Sequence, residues 1–324
     1  MTDSVRVREL SRRRARLRLV GRDAKRFLHG MVTNDITGLQ PGQGCHAAML
    51  TVKGKLLSDL SVYDLGADGL LLELPAATGE TILAALDRYL ITDDATLSDV
   101  SAELAELGVY GAGAAAALQA LGAEREVASL APYHFAAAST SSGTLHISAS
   151  PELGIPGFHV IGPEEAVAVA RARLLAQGAS ELADDEATVL RVEAGVPLYG
   201  IDLDEERMPS EGRLDDVFSA TKGCYLGQEV VVRLRDRGQL NRQLVGLRLP
   251  AAVAPPAPGT KLTHPSRPSA GHLTSVVRSP RLGVIALGYV HRSVWEPGTE
   301  LQLCSAAGEP LGLAAVVSAL PFTA

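Results

Sequence analysis

The segment Thr221-Lys222-Gly223-Cys224-Tyr225-Leu226-Gly227-Gln228-Glu229 gathers a thiol, an ammonium, a phenol, an amide and a carboxylate in one short run. It reads as a loop entering a helix or a strand, with Gly223 and Gly227 permitting positive φ angles or close backbone approach. Lys222 stands two residues from Cys224, and a nearby ammonium lowers a thiol pKa and raises the thiolate fraction near neutrality. Tyr225, Gln228 and Glu229 add directed hydrogen-bonding groups. Two readings stay open on this chemistry alone. Cys224 is a reactive thiol, or it is a packed structural cysteine in a glycine-bracketed turn, the common fate of a lone cysteine. Arg233, a little further on, is either a cation for an anionic ligand or acidic partner, or a solvated arginine. Gly111-Ala112-Gly113 precedes a helical run, but Ala116 stands where a dinucleotide-binding loop needs its third glycine, so it reads as an ordinary strand-to-helix turn.

These residues need elements to hold them. Ala15 to Val20 alternates like a strand with one wet face, and Asp23 to Gly30 reads as a short helix bounded by an acidic start and a glycine end. Cys45–Leu50 and Leu57–Leu65 form a hairpin around Lys53-Gly54-Lys55. A strand at Leu70–Leu74, a helix from Thr78 to Leu90, a strand within Ala102–Tyr110 and an alanine-rich helix from Ala114 to Leu121 follow. Residues 130–162 read as strands, and Glu164–Gln177 as a helix capped by Gly178. This order predicts α+β layers over residues 1–242. The proline-rich break at 251–259 cannot be helix or central strand. The strand Leu244–Leu249 opens a second region, 243–324, where Leu273–Arg278, Val284–Val290, Leu301–Cys304 and Leu313–Ala319 predict a small β-barrel or sandwich.

Bulk properties narrow the function. The 324 residues call for two or three packed units. A net charge of −7 and 4% aromatic residues argue against direct nucleic-acid binding, which needs a basic face or stacking platforms. No apolar run is long enough to span a membrane. The odd, widely spaced set Cys45, Cys224 and Cys304 suggests reduced thiols in a cytoplasm, and it offers no ready-made zinc or iron–sulfur ligand set, so no metal ligands are expected.

Lys222-Gly223-Cys224-Tyr225-Leu226-Gly227-Gln228-Glu229 matches, at every position, the K-G-C-[FY]-x-G-Q-E signature of the YgfZ family, iron–sulfur-maintenance relatives of the glycine-cleavage T-protein. Arg191-Val192-Glu193-Ala194-Gly195, Leu198-Tyr199-Gly200 and Asp202 resemble a run shared with T-proteins. Phe27-Leu28-His29-Gly30, Thr33-Asn34-Asp35 and Lys53-Gly54-Lys55 resemble the N-terminal blocks. Gly271–Ser275 and Ser279–Val290 resemble the C-terminal barrel.

The resemblance implies a T-protein-like ring of three subdomains, two α+β (ferredoxin-like) and one C-terminal β-barrel, holding tetrahydrofolate. It implies that Glu193 meets the pterin, whose 2-amino and N3–H groups form a two-donor edge that one carboxylate can accept. Asn34 and Tyr199 are further candidates for the folate wall, with Tyr225, Gln228 and Arg233 beside them. A T-protein transfers an aminomethyl group from a lipoyl arm to tetrahydrofolate, using an aspartate in G-G-x-x-D-D-L. Here that run is Lys53-Gly54-Lys55-Leu56-Leu57-Ser58-Asp59-Leu60, with Ser58 at the first aspartate and Asp59 at the second. A serine cannot replace a carboxylate base. The sequence therefore favours a tetrahydrofolate-binding protein that supports iron–sulfur cluster assembly or repair in client proteins. Cys224 is then the reactive thiol and Lys222 its poising cation. The alternative is a folate-dependent aminomethyltransferase or demethylase in which Asp59 supplies the carboxylate, and a third reading is a scaffold for which folate is only a regulatory ligand.

Overall fold

The computed structural model describes residues 4–305 and 307–323. The chain divides into two units: residues up to Ala183 together with Asp216–Gln228, and Asp184–Asp215 together with residues from Glu229 onward.

The first unit contains, in order, β1 (Arg6–Glu9), β2 (Arg14–Val20), α1 (Ala24–Met31), β3 (Gly44–Leu50), β4 (Leu56–Asp64), β5 (Leu70–Pro75), α2 (Gly79–Asp87), β6 (Thr96–Asp99), β7 (Leu104–Tyr110), α3 (Ala114–Gln119), β8 (Phe135–Thr140), β9 (Gly143–Ala149), β10 (Gly157–Pro163), α4 (Glu164–Ala176) and β11 (Ser180–Glu181). One sheet runs β3-β4-β5-β2-β6, the other β8-β9-β10-β7-β1-β11. Each is built from the same βαβββαβ order, one strand more than a ferredoxin-like unit, and β1 is inserted into the second between β7 and β11. The repeat explains the glycines after β2 and β7. Gly21 and Gly111 both open a strand-to-helix turn with φ of +124° and +113°, and a Cβ at either would lie 2.3 Å and 2.2 Å from a backbone oxygen, of Asp94 and Ser4. Gly111 is thus a turn glycine of the repeat.

Strand alternation sorts each sheet into two faces. Leu17, Leu19, Leu70, Leu72 and Leu74 pack under Phe27, Leu28, Ile82 and Leu86 of α1 and α2. Leu107, Val109 and Val160 pack under Leu118, Val167 and Leu174 of α3 and α4. The opposite faces meet, with Tyr63 and Leu71 of one sheet against Phe135 and Ile161 of the other. The face of β2 expected to be wet lies in this seam. Arg16 is fully buried 3.3 Å from Glu106, and Arg14 lies 3.0 Å from Glu73 and 2.6 Å from Glu152. His159 sits 3.0 Å from both Glu106 and Glu152. Its pKa is raised because these carboxylates outweigh the burial that opposes its charge. Two arginines and a protonated histidine thus balance the charge of three carboxylates, of which Glu73 and Glu106 are buried. Alternation alone could not distinguish an arginine row facing water from one facing a second sheet.

The second unit contains α5 (Asp184–Ala194), α6 (Gln228–Arg237, after its first residue), β12 (Arg242–Arg248), β13 (Lys261–His264), β14 (Arg267–Ser279), β15 (Gly283–His291), β16 (Glu300–Cys304) and β17 (Pro310–Ser318). The six strands close into a barrel in the order β12-β15-β14-β13-β16-β17, filled by Val245, Leu247, Leu273, Ala286, Leu301 and Val317. Closure removes the sheet edges that a sandwich would leave. Among the described residues no helix is long and apolar enough to cross a membrane.

Candidate functional site

The hairpin of β3 and β4 sets the first group of side chains. Its turn is closed by Thr51 and Lys55, whose backbone N–H to carbonyl bond is 2.8 Å, with Gly54 bonded back to Thr51 at 2.9 Å. On β4, Ser58 and Asp59 necessarily point to opposite faces. Ser58 is fully buried and its hydroxyl contacts Thr78 at 2.8 Å, so it belongs to the packing. Asp59 emerges on the other face with 22% of its side chain exposed. Register pairs Ala48 with Asp59 and His46 with Ser61, which makes His46 the diagonal cross-strand neighbour of Asp59.

His46 is held from both sides. Nε2 lies 3.2 Å from Asp59 Oδ2, and Nδ1 lies 2.9 Å from Asp216 Oδ2. The ring stacks on Tyr133 at 5.3 Å, and the Tyr133 hydroxyl donates to Asp216 Oδ2 at 3.3 Å. Burial works against the charged imidazole, but the hydrogen bonds and charges of Asp216 and Asp59 prevail and raise its pKa to about 9. Asp216 is held below the usual range because its bond to His46 outweighs burial. The other oxygen of Asp59, Oδ1, is covered and has no hydrogen-bond partner among the described residues.

Asp216 begins the segment that returns to this unit, and three contacts stitch that segment down. The Thr33 hydroxyl donates to the Val217 carbonyl at 2.5 Å and accepts from the Ala48 amide at 2.8 Å. Asn34 Nδ2 donates to the carbonyls of His46 at 2.7 Å and Asp216 at 3.1 Å. Lys222 Nζ donates to the carbonyls of His29, Val32 and Asn34, the last at 3.0 Å, at the C-terminal end of α1. An ammonium suits a helix C-terminus, where unsatisfied carbonyls gather. Burial lowers the Lys222 pKa to about 8 against the charge of Asp35. The ammonium also stands 4.9 Å from the centre of the Tyr225 ring. Lys222 is therefore an anchor for the loop.

Cys224 follows that anchor as an exposed free thiol. Cys304 is buried, and burial pushes the Cys45 thiol up to about 12, with Asp35 adding to the shift, so Cys45 is not a nucleophile near neutrality. Gly223 has open space where a Cβ would go. Gly227 does not: its φ is +83°, and a Cβ would lie 2.5 Å from the Thr51 carbonyl oxygen. The loop thus lies against the β3–β4 turn, and Leu226 N–H bonds to the Gly30 carbonyl at 3.1 Å. Gln228, half-buried, closes the loop through a 3.2 Å bond from its N–H to the Tyr225 carbonyl.

The second unit carries the remaining candidates. The end of α5 packs on the outer face of the barrel through Val192, which meets Leu244, Ile285, Leu287 and Tyr289. Its neighbours Arg191 and Glu193 are buried as a consequence. Arg191 pairs with Asp202 at 2.7 Å and donates to Ser275 at 2.8 Å. Glu193 Oε1 accepts from the Ser279 hydroxyl, and Oε2 pairs with Arg281, whose side chain is 67% exposed. Tyr199 is half-buried beside Asp202 in a bridge to Leu203. Arg233 is exposed and pairs with Glu229 at 2.6 Å on its own helix.

The structure therefore groups Asn34 and Asp59 around His46, and Lys222, Cys224, Tyr225 and Gln228 in one loop of the same unit. Sequence reasoning missed His46, Asp216 and Tyr133. His46 and Asp59 lie on two strands of a hairpin that was expected, so the pairing register would have exposed that contact. Nothing in the spacing of Tyr133 and Asp216 marks them as neighbours.

The chain matches the family model described as the GCVT N-terminal domain over residues 3–222, and that of the glycine cleavage T-protein C-terminal barrel domain over residues 242–323. An aminomethyltransferase of Rubrobacter xylanophilus is 34% identical over 278 residues, which cover 83% of this chain and 72% of that protein. One from Prochlorococcus marinus is 30% identical over 299 residues, covering 88% and 79%. Among solved structures, the glycine cleavage system aminomethyltransferase T from Bartonella henselae aligns with a TM-score of 0.83 over 99% of this chain and 86% of that one. At 22% identity this likeness bears on the fold alone.

Proposed function

The chain belongs to the glycine cleavage T-protein family, and we propose that it binds tetrahydrofolate and acts on a one-carbon unit of the aminomethyl type carried by that cofactor. The observation that carries this reading is Asp59. Although Ser58 replaces one aspartate of the motif, Asp59 stands on the opposite face of β4, 22% exposed, with Oδ2 held by His46 and a covered Oδ1 that has no hydrogen-bond partner among the described residues. A buried acceptor without a partner calls for an explanation, and a ligand N–H that reached it through a small turn of the carboxylate would supply one. Bound tetrahydrofolate supplies the nitrogens that carry the one-carbon unit. Asp59 is the carboxylate that holds or accepts a proton, or faces developing positive charge, at those nitrogens.

Glu193 is our candidate for the pterin edge. Its carboxylate already accepts from a hydroxyl and from a guanidinium. A guanidinium and the pterin edge both present adjacent N–H donors in a plane. Arg281, 67% exposed, is the donor that a pterin edge would replace. The test is a glycine-cleavage assay with lipoylated carrier protein and tetrahydrofolate. Turnover is expected, and Asp59→Asn should reduce it by about 100- to 10,000-fold.

One observation favours a second reading. Cys224 is exposed, in a loop whose eight residues match the YgfZ signature. On that reading the protein is a cytoplasmic tetrahydrofolate-binding factor that supports iron–sulfur cluster assembly or repair, with client or assembly proteins meeting the Cys224 loop. It expects no glycine cleavage, and it expects Cys224→Ala to fail in a strain that depends on such maintenance while folate binding survives. Full rescue by the alanine variant would remove Cys224 from the function.

A further inference from the structure

We propose that His46 is a positioning residue for Asp59 and that Asp216 is what fixes it: the ring takes Asp216 on one nitrogen and holds Oδ2 of Asp59 with the other, which sets the orientation of the Asp59 carboxylate. This deepens the one-carbon reading above and rests on it for the role of Asp59. The geometry stands on its own. The two carboxylates lie at 3.2 Å and 2.9 Å from opposite ring nitrogens, so with both carboxylates ionised both nitrogens must carry protons for both contacts to be hydrogen bonds. Tyr133 stacks on the ring and donates to the same Asp216 oxygen, which restrains the plane. Asn34 joins the backbone of His46 to that of Asp216, so the clamp is tied at main chain and side chain alike.

The titratable groups facing the ring are Asp59 from β4, Asp216 from the returning segment and Tyr133 from the loop before β8. The doubly protonated ring is the form their charges favour, with a pKa of about 9. One positive ring between two carboxylates leaves one net negative charge at the site. Asp216 also opens the segment that bears Lys222 and Cys224, so the position of the aspartate depends on the seating of the cysteine loop. Asp216 is 54% exposed.

The test uses the full chain and variants His46→Gln, Asp59→Asn and Asp216→Asn. Long-range nitrogen–proton NMR reads the ring without any need for activity. In the unaltered protein both ring nitrogens should stay protonated through neutrality, and Asp59→Asn and Asp216→Asn should each lower the midpoint by about one pH unit or more. In the transfer assay His46→Gln should reduce kcat by about 100-fold with little change in the KM for tetrahydrofolate, because a displaced group costs rate and not affinity. Asp216→Asn should move the alkaline limb of the pH profile downward. A ring that titrates near its ordinary 6.5, or one that neither substitution moves, overturns the clamp. If the NMR shows the clamp but the unaltered protein transfers nothing at any pH, the one-carbon reading fails and the clamp stands as geometry.

Discussion

Raising the pH through 9 should weaken the first sheet of this protein, and His46→Gln should remove that weakening. The folded ring holds its proton to a pKa of about 9, against 6.5 for a free histidine. A group whose folded pKa is raised contributes fully below the unfolded value and loses that contribution as the pH climbs through the folded one. The window is therefore about pH 6.5 to 9. A difference of roughly 2.5 pH units at about 1.36 kcal/mol each corresponds to about 3 kcal/mol. The side chain is only 12% exposed, so solvent screening removes little of it. Lys222 acts with the opposite sign. Its folded pKa near 8 lies below 10.5, so its share of stability rises with pH between those values. The quantity to measure is thus the difference between the unaltered protein and His46→Gln. Trp295, the single tryptophan, lies in the second unit and cannot report on this sheet. Hydrogen exchange of the β3 and β4 amides at a series of pH values, corrected for intrinsic rates, reads it directly. The gap in opening free energy should shrink by about 3 kcal/mol between pH 6 and 9.5. Parallel curves over that range would refute the reasoning.

Lys222→Met should free the loop from α1, costing about 1.5–3 kcal/mol of local stability and raising hydrogen exchange across residues 219–227. Asp202→Ala leaves the buried Arg191 guanidinium uncompensated, and urea unfolding followed by Trp295 fluorescence should lose about 3–5 kcal/mol. Gly227→Ala meets both a positive φ and the Thr51 carbonyl, so it should disturb the Cys224 loop where Gly223→Ala does not, a contrast that thiol alkylation rates will read.

Much of the fold was legible because it rests on local pattern. The apolar run of β5, the acidic start and glycine end of α1 and the glycine- and proline-separated runs of the barrel each marked an element within a few residues. β1 and β11 were not legible, since strands of four and two residues carry too few positions to show a period. The helix α5 was hidden because its end is buried through Arg191 and Glu193, whose burial depends on barrel partners far along the chain. The site divides in the same way. Cys224, Lys222 and Gly227 are neighbours in sequence and formed one readable motif. Asp216 and His46 stand on segments that only the folded chain brings together, and their chemistry is that of a contact and not of a spacing.

Calorimetric titration with tetrahydrofolate tests the central claim most directly. The unaltered protein should bind with 1:1 stoichiometry, and Glu193→Ala should weaken binding by about 1.5–3 kcal/mol, the loss of one partner from a charge-assisted pair. Asp59→Asn, in contrast, should still bind while losing transfer. An absence of binding heat across temperatures, in a protein shown to be folded, would contradict the account, as would an affinity unchanged in Glu193→Ala.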